Sequence, residues 1–364
     1  MRKLAALLAL CTLLAALSGC ALFNRGTSTV KNHQEQSATA EDGSILRAES
    51  YADLVSCVQH FVSMGQSEGT VHVYKYSGDI ESDLTAATRE VLTEDPLGSY
   101  ALRDIDFDYS RIVSYYECDF SFTYRRTLED MASIATLYGD AAIRSRLGQA
   151  LTSFEPMVTI RTSSFYADTT RIYALARQAY YASPATALGY PGINVTIYPQ
   201  SGPSRILEIS FTYSHRDREL LQRRAEAVSA AAAAMVGQDV AADSTVAQLL
   251  YSRLGDSVTF DPTASGSVYD ALCASSANSE GIALGYQVLC LQAGIDCTLV
   301  QGTREGEPHW WNIITLDGVS WLVDVTRTDP EDAFLHGDED FLAADYNWSR
   351  EDHPTCGVID GTGE

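Results

Sequence analysis

Basic residues are scarce in this 364-residue chain: 25 Lys and Arg stand against 48 Asp and Glu, a formal charge of −23. So acidic a chain is a poor counterion for phosphate, which excludes nucleic acid and anionic membrane surfaces as electrostatic partners. Cysteine is sparse as well. The eight present include no C-x-x-C pair, and no H-E-x-x-H run occurs, so the sequence implies neither a metal site nor a cofactor. The apolar stretch at residues 4–17 is too short and wrongly flanked for a structural transmembrane helix. What remains is ample for packing. Hydrophobic residues make up 46% of the chain, and its length accommodates two or three domains with real cores.

Met1-Arg2-Lys3 is basic, residues 4–17 are rich in Leu and Ala, and the stretch closes on Leu17-Ser18-Gly19-Cys20. This pattern is a signal peptide over residues 1–19, and its end resembles the lipobox of bacterial lipoproteins. The resemblance implies that Cys20 is acylated and becomes the mature N-terminus. Acyl chains there would tether the protein outside the cytoplasm, on a bacterial membrane. Residues 20–47 are mostly polar with no apolar period and read as a flexible linker.

The middle of the chain is duplicated. Thr70-Val-His-Val-Tyr74 and Met157-Val-Thr-Ile160 each open a unit as a strand. A helical stretch follows each (83–92 and 169–181), then Pro96 or Pro184, then two strands of strict period-two alternation. Both copies close on Ser-Phe-Thr-Tyr, at Ser121 to Tyr124 and Ser210 to Tyr213. A duplicated βαββ module over 48–215, with repeats at 50–126 and 140–215, is the expectation. A further helix is expected before each opening strand. The alternation points Cys118 and Leu207 inward in matching columns, so Cys118 is core rather than reactive. A connecting helix over 216–240, with five alanines from Ala230, leads to the last domain at 241–358.

In that last domain several spaced motifs occur in order: Tyr269-Asp-Ala-Leu272, Ser279-Glu-Gly-Ile-Ala-Leu-Gly-Tyr286, Thr298-Leu-Val-Gln-Gly302, Pro308-His-Trp-Trp-Asn-Ile313 and Trp321-Leu-Val-Asp-Val-Thr326. Together they resemble the bacterial transglutaminase-like family, a branch of the papain-like fold, over about a third of the chain. The resemblance completes an α+β fold class: a duplicated βαββ module followed by a transglutaminase-like (papain-like) domain of helix plus antiparallel sheet. It also implies a Cys at the start of a buried helix, a His on a following strand and an Asp on the next, the arrangement that generates a thiolate and fixes the imidazole tautomer. Position by position, the His is His309 and the Asp is Asp324, with Trp310, Trp311 and Asn312 as neighbours of the site. The nucleophile position falls on Ser279.

This substitution changes the chemistry. A thiol near pKa 8.5 needs only a modest shift to ionise at neutral pH, whereas an alkoxide does not accumulate. Ile282 stands where the family has an aromatic residue, and Arg327 where it commonly has Trp. The expectation is a catalytically degenerate domain that serves as a binding or scaffold module at the cell envelope. The alternative is an active Ser279-His309-Asp324, or Cys-type, hydrolase or acyltransferase acting on peptide or protein amide bonds. Cys273, six residues before Ser279, lies in a loop that could fold back toward His309, though nothing in the spacing requires it. A disulfide among the remaining cysteines is open, with no connectivity derivable. The charge is uneven: from Gly237 onward 22 acidic residues face four basic ones. The implied partner is a cell-envelope protein or peptide, cationic or amine-bearing, besides the membrane that the lipid anchor reaches.

Overall fold

The computed structural model describes residues 45–237, 242–327 and 329–358. The expected signal peptide and Cys20 lie outside the described residues. The chain divides into two compact units, the first ending at Arg126 and the second beginning at Thr127. Both are α+β.

In the first unit, strands β1 (Ile45–Ala48), β2 (Glu68–Tyr74), β3 (Leu102–Ile112) and β4 (Tyr115–Tyr124) form a mixed sheet in the order β1-β2-β4-β3. Strand β1 runs parallel to β2 and starts inside the stretch expected to be linker. Four residues carry no legible alternation, so this strand escapes sequence reading. Helices α1 (Tyr51–Ser63) and α2 (Ile80–Thr93) cover one face. Their apolar residues recur at helical spacing, and Leu54, Val58, Phe61, Leu84, Ala87 and Val91 are fully or almost fully buried against Val71, Val73, Cys118 and Phe120. Pro96, expected simply to follow the helix, opens a short helix of its own, where its missing N–H costs nothing.

The second unit begins with the same topology. Strands β5 (Ala135–Thr136), β6 (Met157–Ser163), β7 (Gly192–Tyr198) and β8 (Ser204–Thr212) take the order β5-β6-β8-β7, again with a parallel first pair, and helices α3 (Asp140–Thr152) and α4 (Thr169–Tyr181) pack on them. This core does not close on itself. Ile143, Leu147, Ile172, Leu207 and Ile209 belong to one continuous apolar cluster with Val228 and Ala232 of α5 (Arg218–Val236), Leu250 and Leu254 of α6 (Ser244–Ser257), and Leu284 and Leu289 of α7 (Ser279–Ala293). Small residues in the alanine run of α5 allow the close approach.

Beyond α5 and α6, β9 (Thr259–Phe260) pairs with β10 (Ser276–Ala277) just before α7. The remaining strands, β11 (Asp296–Arg304), β12 (Glu307–Leu316), β13 (Val319–Val323), β14 (Phe334–His336) and β15 (Tyr346–Trp348), form an antiparallel sheet in the order β14-β13-β12-β11-β15. No helix among the described residues is long and apolar enough to cross a membrane.

Candidate functional site

Helix α7 is apolar on every side and buried almost throughout, which fixes its N-terminus against β12. Asn278 caps it, its side chain accepting from the N–H of Gly281 at 3.1 Å. Gly281 is required there: a Cβ would stand 2.9 Å from the Ser267 carbonyl oxygen. Asn312 on β12 ties the two elements together by donating Nδ2–H to the carbonyl of Ala283 at 3.0 Å. Ser279, the first residue of α7, is thereby held beside β12 with 6% of its surface exposed.

His309 lies on β12 and Asp324 immediately follows the end of β13, and both are buried. His309 Nε2 is 2.8 Å from Asp324 Oδ2. The carboxylate also accepts from the Tyr346 hydroxyl at 2.6 Å, the Thr326 N–H at 2.9 Å and the Thr326 hydroxyl at 2.7 Å. Burial alone would push this carboxyl group up, but the bonds from His309, Tyr346 and Thr326 outweigh it and hold its pKa below the ordinary value. An ionised carboxylate only accepts, so Nε2 must carry the proton, which leaves Nδ1 as the basic nitrogen. The rings of Phe260, Trp311 and Tyr346 surround the imidazole at centroid distances of 5.9, 6.3 and 6.0 Å.

Ser279 completes the constellation in place but not in bonding. Its Oγ accepts the backbone N–H of Trp310 at 3.3 Å, one residue along from His309. Among the described residues no hydrogen bond joins Ser279 Oγ to the imidazole. The three expected positions therefore converge, with the hydroxyl held by a main-chain amide rather than by the base. Trp310 lies half-buried at the site's edge, while Trp311 and Asn312 are fully buried and position β12.

Several neighbours were not legible beforehand. Tyr346, 22 residues beyond Asp324, has no motif to mark it. Thr326 does, as the last residue of Val-Asp-Val-Thr. Glu280 accepts from the Tyr181 hydroxyl at 2.9 Å, and burial raises its carboxyl pKa against the pull of Tyr181 and Arg177. The Tyr181 ring lies 5.1 Å from Trp310, so the second repeat supplies a wall of the site.

The cysteines are not part of it. All six that are described are free thiols, with no disulfide among them. Cys273 is exposed, makes no hydrogen bond with His309, and has its pKa raised by burial and by Asp270. Cys57 and Cys118 are pushed up to about 12 by burial, as core thiols should be.

No protein-family model matches the chain, and no curated protein matches it. Among solved structures it is similar to a candidate cysteine protease from Cytophaga hutchinsonii, at 10% identity and a TM-score of 0.26, over 39% of this chain and 64% of that one. It is similar to a TGase at 11% identity and a TM-score of 0.26, over 67% of this chain and 70% of that one. A candidate protease from Parabacteroides distasonis ATCC 8503 is similar at 10% identity and a TM-score of 0.24, over 61% of this chain and 52% of that one. The chain thus spans less than two thirds of the first of these structures.

Proposed function

We propose that this is a membrane-tethered envelope protein whose last domain keeps a transglutaminase-like amide-binding site without the family's cysteine chemistry. One observation supports the reading: Ser279, where the resemblance implies the nucleophile, has its Oγ on the Trp310 N–H and, among the described residues, no hydrogen bond to His309. A hydroxyl, unlike a thiol, needs the base to take its proton within the transition state, and here no hydrogen bond joins it to the base. What survives is a buried constellation tied together by hydrogen bonds. The positive end of α7 suits a carbonyl oxygen, and the aromatic rings around His309 suit a flat amide group.

The test is amidase and amine-transfer assay of the purified wild-type protein. No turnover is expected, while Ser279→Cys gains measurable activity because Nδ1 of His309 can then face a thiol. Wild-type turnover abolished by His309→Ala would overturn the reading.

A second reading, a Ser-His-Asp hydrolase, is favoured by the completeness of the hydrogen bonding at Asp324, since a vestigial orienting group has no chemical need for four donors. In it His309 Nδ1 takes the Ser279 proton as Oγ bonds to the amide carbon, and returns it to the leaving nitrogen. Fluorophosphonate labelling of Ser279 separates the two. Tethering through Cys20 is checked by incorporation of labelled palmitate, lost in Cys20→Ala.

A further inference from the structure

Arg177 stands beside the candidate site, where its charge acts on buried Glu280 without a direct ion pair. It projects from α4, with Cζ 5.6 Å from the Tyr181 ring centroid and 5.8 Å from that of Trp310, and it donates to Gln301 Oε1. No carboxylate lies within salt-bridge distance of it among the described residues, although acidic residues outnumber basic ones nearly two to one. Aromatic faces and one amide hold the guanidinium in place without consuming its fork of donors.

Beside it runs a groove of about 570 Å³, walled by Tyr173 and Arg177 of α4 and by Tyr190, Pro191, Gly192 and Ile193 at the start of β7. Tyr190, a wall of the groove, stacks on Tyr181, whose ring meets Trp310 at the edge of the candidate site.

Among the described residues, strand β7 is an edge of its sheet. Its sequence, Gly-Ile-Asn-Val-Thr-Ile-Tyr, holds no charge in seven residues. Natural edges are normally protected by charged side chains, because an open row of N–H and C=O groups recruits another strand. The equivalent edge in the first repeat is protected in that way: β3 carries Arg103, Asp104, Asp106, Asp108 and Arg111.

We infer that the second repeat is the ligand-selecting arm of the site: an extended peptide adds to the outer edge of β7 from Gly192 to Ile197, and Arg177 receives one carboxylate side chain from it. Strand addition supplies main-chain hydrogen bonds, and alternate side chains of the peptide meet Tyr173, Tyr190 and Arg177. The anionic field of the domain beyond Gly237 repels polyanions, so a single Asp or Glu within a neutral extended segment is the ligand that fits. The inference rests on the amide-site reading for the segment's continuation toward Ser279.

The test uses the full-length chain and three fluorescein-labelled heptapeptides, Thr-Val-Thr-X-Thr-Val-Thr with X as Glu, Gln or Lys, in fluorescence anisotropy. The Glu peptide is expected to bind about tenfold more tightly than the Gln peptide, with Lys weakest, the difference one charge-assisted hydrogen bond makes. Arg177→Gln should erase that gap, and N-methylation of alternate peptide amides should weaken binding at least about tenfold through the lost ladder. Equal binding of the three peptides, a Glu preference that survives Arg177→Gln, or indifference to N-methylation overturns the inference. So does sedimentation showing β7 occupied by a second copy of the chain. Cleavage of the Glu peptide, seen by mass spectrometry with its preference intact, overturns the inert-site reading and leaves the inference standing.

Discussion

The two βαββ copies share their scaffold and differ in what they do with it. Each starts with a short parallel strand, each caps its second helix with an aspartate (Asp79 accepting from Ser82 N–H, Asp168 from Arg171 N–H), and each ends on Ser-Phe-Thr-Tyr. The closing tyrosine has the same task in both. Tyr124 donates to the Gln66 carbonyl at 2.9 Å and Tyr213 to the Glu155 carbonyl at 3.0 Å, fastening the last strand to the turn that precedes the opening one. The inward columns are equivalent, Cys118 against Leu207 for example, both fully buried. The outward positions are not. The first copy closes its own core and guards its edge with charge, while the second opens its core to α5, α6 and α7 and lends Tyr181 and Arg177 to the site.

The comparison can be broken most forcefully at Asp324, in the body that contains the second copy. Removing a buried carboxylate that pairs with His309 and takes three further hydrogen bonds should cost about 3–5 kcal/mol in Asp324→Ala. All four tryptophans lie between positions 310 and 348, so their emission during urea unfolding reads this body alone. The linkage has a definite sign. A carboxyl whose folded pKa is depressed contributes stability that is present above its unfolded value, near 4, and lost as pH falls through the folded one. Wild-type urea midpoints should therefore drop between pH 5 and pH 3, and less so in Asp324→Asn.

Next in size are the cores. Ile172→Ala should destabilise by about 2–5 kcal/mol and shift the tryptophan transition, because Ile172 shares a cluster with α7. Leu84→Ala, equally buried in the first copy, should lose a similar amount in near-ultraviolet tyrosine dichroism while the tryptophan transition stays in place. If both substitutions moved the tryptophan signal alike, the distinction between a closed and a shared core would fall. The smallest effects sharpen the likeness rather than the difference. Tyr124→Phe and Tyr213→Phe each delete one hydroxyl-to-carbonyl bond, about 0.5–1.5 kcal/mol apiece, and calorimetry should find the two losses equal within error.

Much of this was legible before any coordinates. The spans expected for the helices agree closely with Tyr51–Ser63, Asp140–Thr152, Thr169–Tyr181 and Arg218–Val236, because apolar period and caps are written in contiguous residues. The strand alternation of both copies was equally local. Strands β1 and β5 were not, since at four and two residues they exist only through parallel pairing with β2 and β6. At the site, spaced motifs marked Ser279, His309 and Asp324, but nothing in them showed that Trp310 N–H rather than the imidazole engages Ser279 Oγ.

By itself, then, the sequence determined the duplicated alternation, the buried helix α7 and the residue types at the three positions of the constellation, all encoded within single segments. Tertiary structure alone decided which copy shares its core, that Tyr346 reaches Asp324, and that Tyr181 reaches Glu280 from 99 residues away. Periodicity constrains neighbours a few residues apart along one element. Contacts between elements depend on strand register and helix packing, which arise only when separate segments bury their apolar faces together.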